Sequence, residues 1–350
     1  MKKVLFIAVL ALPFFAAAQK NVELLAAAEE TGSAMIYTLP KTALEVRVEL
    51  KKTVQKAGPY AAYAQQYFGF EKAEIVGSDR TVYEISGIEI RRKGVPDPTR
   101  IFQITAASDS KAGLISLTDN GIIESVNAAR AETAAKEYQK VDMPAKNAAV
   151  YFDKSDLTEN YFLQNDANQK REVAASQIYQ LRETQFNLLS AATQNEVSDA
   201  NTLQLMLTEL KRREDLLLEL FKGKNITTTE YKTFEITPER AMKDRILFYF
   251  SPFNGVTSGV EGITDSYFIS LRLSKKNGMP TVKNSRKNGF FHCIPLNAEV
   301  EIYNSERSLY KESIPMAQFG TLVSLPTDYV DKNNAAITFD TTTGAIKSIK

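Results

Sequence analysis

Between Leu44 and Lys51 apolar and charged residues alternate strictly. Leu44, Val46, Val48 and Leu50 stand against Glu45, Arg47, Glu49 and Lys51. A period of two puts the aliphatic residues on one face, so Met35 to Lys52 predicts a half-buried strand. Pro40 lacks a backbone donor and marks a strand entry or a sheet edge. The period then changes. Gly58 and Pro59 suit a helix start, Tyr60, Tyr63, Ala64, Tyr67 and Phe68 follow at helical spacing, and Gly69 ends the run. Strand patterns return at Thr81 to Arg91 and Ile101 to Ala106, with "VPDPTR" between them as a turn or loop. In "GLISLTDNGIIESVN", Asn120-Gly121 supplies the positive-φ residues of a tight turn between two apolar runs, which predicts a hairpin.

Residues 128–165 are Ala-rich and polar, then mixed, and read as a short helix or linker followed by an irregular connection around "YFDKSDLTENYFL". Residues 166–223 have a different character. Ala174, Ile178, Leu181, Gln185, Leu188 and Ala192 recur in steps of three and four, and so do Leu203, Met206, Leu207, Leu210, Leu217, Leu220 and Phe221. Ser198 or Asp199 can cap the second run and Gly223 can end it. The pattern predicts a long antiparallel helical hairpin of two helices, each about 35–40 Å long, with Ile178, Leu181, Leu207 and Leu210 turned inward. Beyond it, Tyr231 to Ile236, Ile246 to Ser251, Ser266 to Ser274, Phe290 to Asn304, Ser308 to Pro315 and Gly320 to Leu325 read as strands.

Two patterns occur twice. "YTLPKTALEVRVE" (37–49) is echoed by "HCIPLNAEVEIYN" (292–304), and the run from Gly121 is echoed by "GAIKSI" from Gly344. The shared letters are Pro, Ala, aliphatics, Gly and Ser, none of which shuttles protons. A repeated β building block therefore explains them better than a repeated active site, with Pro40 matching Pro295 and Gly121 matching Gly344. The expected fold class is α+β: two β-rich, sandwich-like domains with related β modules, joined by the helical hairpin. The expected division is 1–18 signal peptide, 19–127 N-terminal β domain with a short inserted helix, 128–165 linker, 166–223 helical hairpin and 224–350 C-terminal β domain.

The first twenty residues, "MKKVLFIAVLALPFFAAAQK", carry a basic start, a short apolar stretch and a small-residue site, the three parts of a secretory signal cleaved after Ala18. The expected location is periplasmic or cell-surface, with no transmembrane span. A net charge of +1 gives no field to draw nucleic acid. The single Cys forbids an intrachain disulfide, and the single His removes Ser-His-Asp and Cys-His chemistry unless His292 supplies it. The absence of Trp weakens a glycan-platform reading, although the 15 Tyr could substitute.

The chain resembles the exported bacterial proteins catalogued as domain of unknown function 4831. The resemblance rests on "YTLPKTALEVRVELKKTVQKAGPYAAYAQQYFGF", "IYQLRETQFNLLSA", "LQLMLTELKRREDLLLELFKGK", "FHCIPLNAEVEIYN", "MAQFGTLVSLP" and "ITFDTTTGAIKSI", in that order. His292-Cys293 departs from the aromatic-Arg pair expected before Pro295. The resemblance implies export in Gram-negative anaerobes and no established activity, and it assigns no functional residue.

Each candidate site has a plainer reading beside it. His292 and Cys293 are neighbours, which on a strand point to opposite faces and cannot act as base and nucleophile. Asp153, Asp156 and Glu159 lack the glycine and spacing of a calcium loop and read as a solvated loop. "FNGVTSGVEGITDS" lacks the Gly-Lys-Ser/Thr ending of a phosphate loop. Tyr60, Tyr63 and Tyr67 form a stripe that serves either as a binding surface or as the packing face of a short helix. They are the candidate binding residues; no catalytic residue, metal ligand or cofactor is expected. The expected function is a non-catalytic envelope structural or interaction protein whose partner is an envelope protein or surface component. The alternatives are a carboxylate-based hydrolase, or a secreted protein whose C-terminal β domain is an export signal.

Overall fold

The computed structural model of the chain describes residues 34–105, 115–128, 151–193, 199–260, 262–274, 290–326 and 335–350. The expected signal segment, most of the expected linker and residues 194–198 lie outside the described residues. The protein is mixed α and β, with antiparallel strand pairing in three sheets and few helices. Strands β1 (Ala34–Lys56) and β2 (Arg80–Thr105) are long, β3 (Ile115–Leu117) and β4 (Ile123–Val126) short. Helices α1 (Ala64–Phe68), α2 (Glu159–Leu163), α3 (Ala167–Thr193) and α4 (Ala200–Lys222) follow. Then come β5 (Lys224–Ile236), β6 (Met242–Ser251), β7 (Gly255–Thr257), β8 (Asp265–Leu273), β9 (Phe290–Tyr303), β10 (Ser308–Leu325), β11 (Ile337–Phe339) and β12 (Ile346–Ile349).

The sheets run β2-β1-β5, β10-β9-β8-β6-β7 and β12-β11-β4-β3. Two of them join chain from before and after the helices. β1 pairs with β5 from Leu44↔Ile236 to Lys56↔Lys224, and β4 pairs with β11 at Val126↔Ile337. The expected domains 19–127 and 224–350 therefore do not own separate sheets. Alternation reveals which face of a strand is buried but not which strand lies beside it, and β1 has two edges to fill.

Burial follows the period of two. Leu44, Val46, Val48 and Leu50 of β1 share one core with Ile269 and Leu271 of β8 and with Leu296, Ala298, Val300 and Ile302 of β9. Each Leu, Val and Ile among them contributes about 1.5–3 kcal/mol on burial. A second core, at the other end of β1, gathers Tyr37, Leu39, Ile123, Val126, Phe290, Ile337 and Phe339.

The two echoed segments occupy like positions. The Thr38 N–H donates to Gly121 O at 2.9 Å, and the Cys293 N–H donates to Gly344 O at 2.8 Å. Both glycines are left-handed, at φ +83° and +69°. At the same level each long hairpin carries an excursion: Asp97–Arg100 bulges out opposite Leu39, and Ala317–Gly320 bulges out opposite Pro295. In strand register the two excursions differ by one residue, since Thr38 and Pro40 flank the first while Ile294 and Leu296 flank the second. "VPDPTR" is thus not a loop between strands but part of a continuous β2, and Ser308 to Pro315 and Gly320 to Leu325 are one strand. The Asp97 carboxylate accepts from the Thr99 N–H (2.9 Å) and its hydroxyl (2.7 Å), which satisfies the bulge locally.

The bulges interlock. Arg100 donates to Ala317 O (2.9 Å) and Gln318 O (3.2 Å). The Gln318 amide pairs with the Thr42 N–H (2.9 Å) and C=O (3.0 Å), as a neighbouring strand would. Thr42, fully buried, accepts from the Ala317 N–H and donates to Thr342 O.

At the far end of β1 the chain enters the helices. A third core joins Ala174, Ala175 and Ile178 of α3 and Leu217, Leu218, Leu220 and Phe221 of α4 to Tyr60, Ala64, Leu157 and Tyr161. Asp199 caps α4 by accepting from the Asn201 and Thr202 N–H groups. Gly223 ends it at φ +82°, where a Cβ would lie 2.6 Å from Lys56 O.

Candidate interaction surface

The tyrosine stripe packs inward. Tyr60 is buried, with its hydroxyl 2.8 Å from that of Tyr161, and burial pushes its pKa up. Tyr67 is half-buried against Phe221, and its hydroxyl accepts from Arg171 Nε at 3.3 Å. Tyr63 is 37% exposed, with the Arg171 guanidinium 3.9 Å above its ring. The structure brings the three together with Arg171, and only Tyr63 keeps a substantial outward face.

Farther along the helix pair a buried carboxylate divides it. Glu214 accepts from Arg182 Nε at 2.7 Å, from Gln185 Nε2 at 3.2 Å and from Lys211 Nζ at 3.4 Å. Burial raises the pKa of its carboxyl, but these donors outweigh that effect and hold it below the usual glutamate range. Inward of this clasp the apolar residues are buried by the third layer that Tyr60, Ala64, Leu157 and Tyr161 provide. Outward of it, Phe186 (69%), Leu189 (50%), Leu205 (72%) and Met206 (49%) are exposed. The seam residues Leu181, Leu188, Leu203, Leu207 and Leu210 are only half-buried. Of the four residues expected inward, Ile178 alone is fully buried. Two helices without a third layer cannot cover both sides of their seam.

The exposed apolar positions were missed because helical spacing was read as a single inward stripe. The signal was the run of uncharged residues in "TQFNLLSAAT" (184–193) and "ANTLQLMLT" (200–208), which leaves the outer helix faces without the charges a solvated face carries.

The concave surfaces are shallow. One of about 390 Å³ is lined by Met242, Asp244, Ser270, Arg272, Glu301 and Tyr303. Asp244 sits there at φ +53° in a bulge of β6, a conformation that no sequence pattern announced. Its N–H donates to Ser270 Oγ at 3.0 Å, and its carboxylate accepts from the Tyr303 hydroxyl. The Tyr303 hydroxyl also lies 3.0 Å from Ser270 Oγ, so these polar groups satisfy one another. His292 is half-buried, and burial holds its imidazole below the usual histidine range. Burial pushes the Cys293 thiol up, and its Sγ donates to Ala317 O at 3.2 Å. Asp156, from the acidic loop, pairs with Arg212 at 3.2 Å, and no metal-binding cluster of His, Cys, Asp or Glu occurs among the described residues.

The class so defined is a β-rich scaffold of antiparallel sheets that carries a helix pair with an exposed apolar outer end. The chain belongs to the family described as a domain of unknown function (DUF4831), whose match runs over residues 33–347. No curated protein and no solved structure matches it. No helix among the described residues is long and apolar enough to cross a membrane.

Proposed function

We propose that this is an exported, non-catalytic cell-envelope protein that binds another protein through the outer end of an antiparallel helical hairpin, 166–223. One observation carries the reading: four large apolar side chains stand exposed on two adjacent helices beyond the Glu214 clasp. Together they present roughly 500 Å² of apolar surface, taking about 200 Å² for each full side chain, which is at the level where a patch marks an interaction site. The related β modules act as the rigid mount. Export with cleavage after Ala18 fits a chain whose single Cys is buried and needs no disulfide partner.

The test is mild crosslinking of envelope fractions from cells making the wild-type protein or a Phe186→Asp/Leu205→Asp variant. The reading expects a crosslinked adduct from the envelope fraction that the variant loses, with Gln19 as the first residue of the purified protein. An adduct unchanged in the variant, or a protein retaining Met1 in the cytoplasm, overturns it.

A further inference from the structure

From Thr184 to Thr193 and from Ala200 to Thr208 neither helix carries a charged side chain. At 1.5 Å per residue each of these stretches extends about 14 Å, and on α4 the charged residues Glu209, Lys211, Arg212 and Arg213 lie between the uncharged stretch and the clasp. Inward of the clasp a third layer completes the core; outward, the same kind of seam is left half-covered. Two more helices laid across it would bury the seam as a four-helix bundle does.

We infer that those helices come from a second copy of this chain, the two hairpins overlapping antiparallel at their outer ends. This rests on the interaction reading above and names the partner. Two features select a second copy. A twofold contact sets each patch against itself, so like charges would face each other across the axis, and these stretches hold none. Two patches of roughly 500 Å² give about 1,000 Å² of apolar surface, the lower threshold of a specific interface, before the half-buried seam is added. Asp199, which caps α4 at the outer part of the hairpin, argues against a lipid surface. A hairpin dipped into a bilayer at that end would carry its carboxylate in, where it is heavily penalised.

The measurement is solution mass by light scattering across a dilution series, on the protein recovered after secretion. The inference expects twice the mass of one chain, and copies carrying two different tags that co-purify. Phe186→Asp/Leu205→Asp should weaken self-association at least tenfold while leaving the thermal melt in place, because both positions are exposed in the single chain. Ile263→Asp, an exposed apolar position on the β scaffold, should leave the mass doubled. A wild-type protein of single-chain mass at every concentration overturns the inference, as does a doubled mass that the double variant retains. Binding of the wild type to zwitterionic or anionic phospholipid vesicles, lost in the variant, also overturns it in favour of a membrane. A single-chain mass together with an envelope adduct that the variant loses would remove the second copy and leave the interaction reading standing.

Discussion

Replacing Gln318 with Leu keeps the size of the side chain and removes the amide that ties the second bulge to β1. In the wild type its oxygen accepts from the Thr42 N–H at 2.9 Å, and its nitrogen donates to Thr42 O at 3.0 Å and to Pro238 O at 2.9 Å. A hydrogen bond is worth about 1 kcal/mol net, and a buried group left unpaired costs about 1–3 kcal/mol more. Thr42 and Pro238 are both buried, so the groups that the amide now pairs would be left without a ready replacement. The expected loss is about 2–4 kcal/mol. Thr42→Val removes the hydroxyl that accepts from the Ala317 N–H and donates to Thr342 O, and should cost about 2 kcal/mol. The two changes act on one joint, so their combined cost should fall short of the sum. Urea unfolding followed by far-UV circular dichroism measures this, since the chain has no Trp to report by fluorescence. A Gln318→Leu protein within about 0.5 kcal/mol of wild type would refute the idea that this amide ties the halves together.

The other predictions concern the helices and a close approach in the scaffold. Ile178→Asp buries a carboxylate in the core shared with Leu217 and Phe221 and should lower the stability of the helical layer by about 3–5 kcal/mol, while Leu205→Asp should leave it within about 0.5; thermal melts of the two variants decide. Glu214 has a folded-state pKa below its ordinary value of 4.5, so its stabilisation is fully present above that pH and is lost as pH falls through the lower folded value. Acid titration of helix content should show that loss in the wild type and a flatter profile in Glu214→Gln, and identical profiles would contradict the assignment. Gly94→Ala would set a Cβ 1.9 Å from Thr341 O, backbone that must move, so its urea midpoint should fall well below that of Gly77→Ala, where a Cβ meets open space.

Much of the fold was legible where one physical rule acts alone. Alternation in Leu44 to Lys51 placed β1 and its buried face, Asn120-Gly121 placed the first short hairpin, and Asp199 and Gly223 bounded α4. Rules that need a second segment of chain were illegible. The excursions at Asp97–Arg100 and Ala317–Gly320 look like breaks because Pro, Asp and Gly mark turns, and only the partner strand shows that pairing resumes beyond them. The pairing of β1 with β5 depends on β5 returning after about 170 residues, which no local pattern encodes. At the surface site the spacing of apolar residues was visible, but whether a third layer covers them was not. Tyr60 and Tyr67 belong to that layer, and Phe186 and Leu205 stand exposed beyond it.

The central claim is that the outer end of the helix pair is where this protein meets another. A photo-crosslinking amino acid placed at position 205, and in a parallel strain at position 263, tests it in living cells. Both positions are exposed, at 72% and 79%, so exposure alone does not separate them. The account predicts a discrete protein adduct from position 205 and none from position 263. Equal labelling from both positions, or adducts from 263 alone, would contradict it.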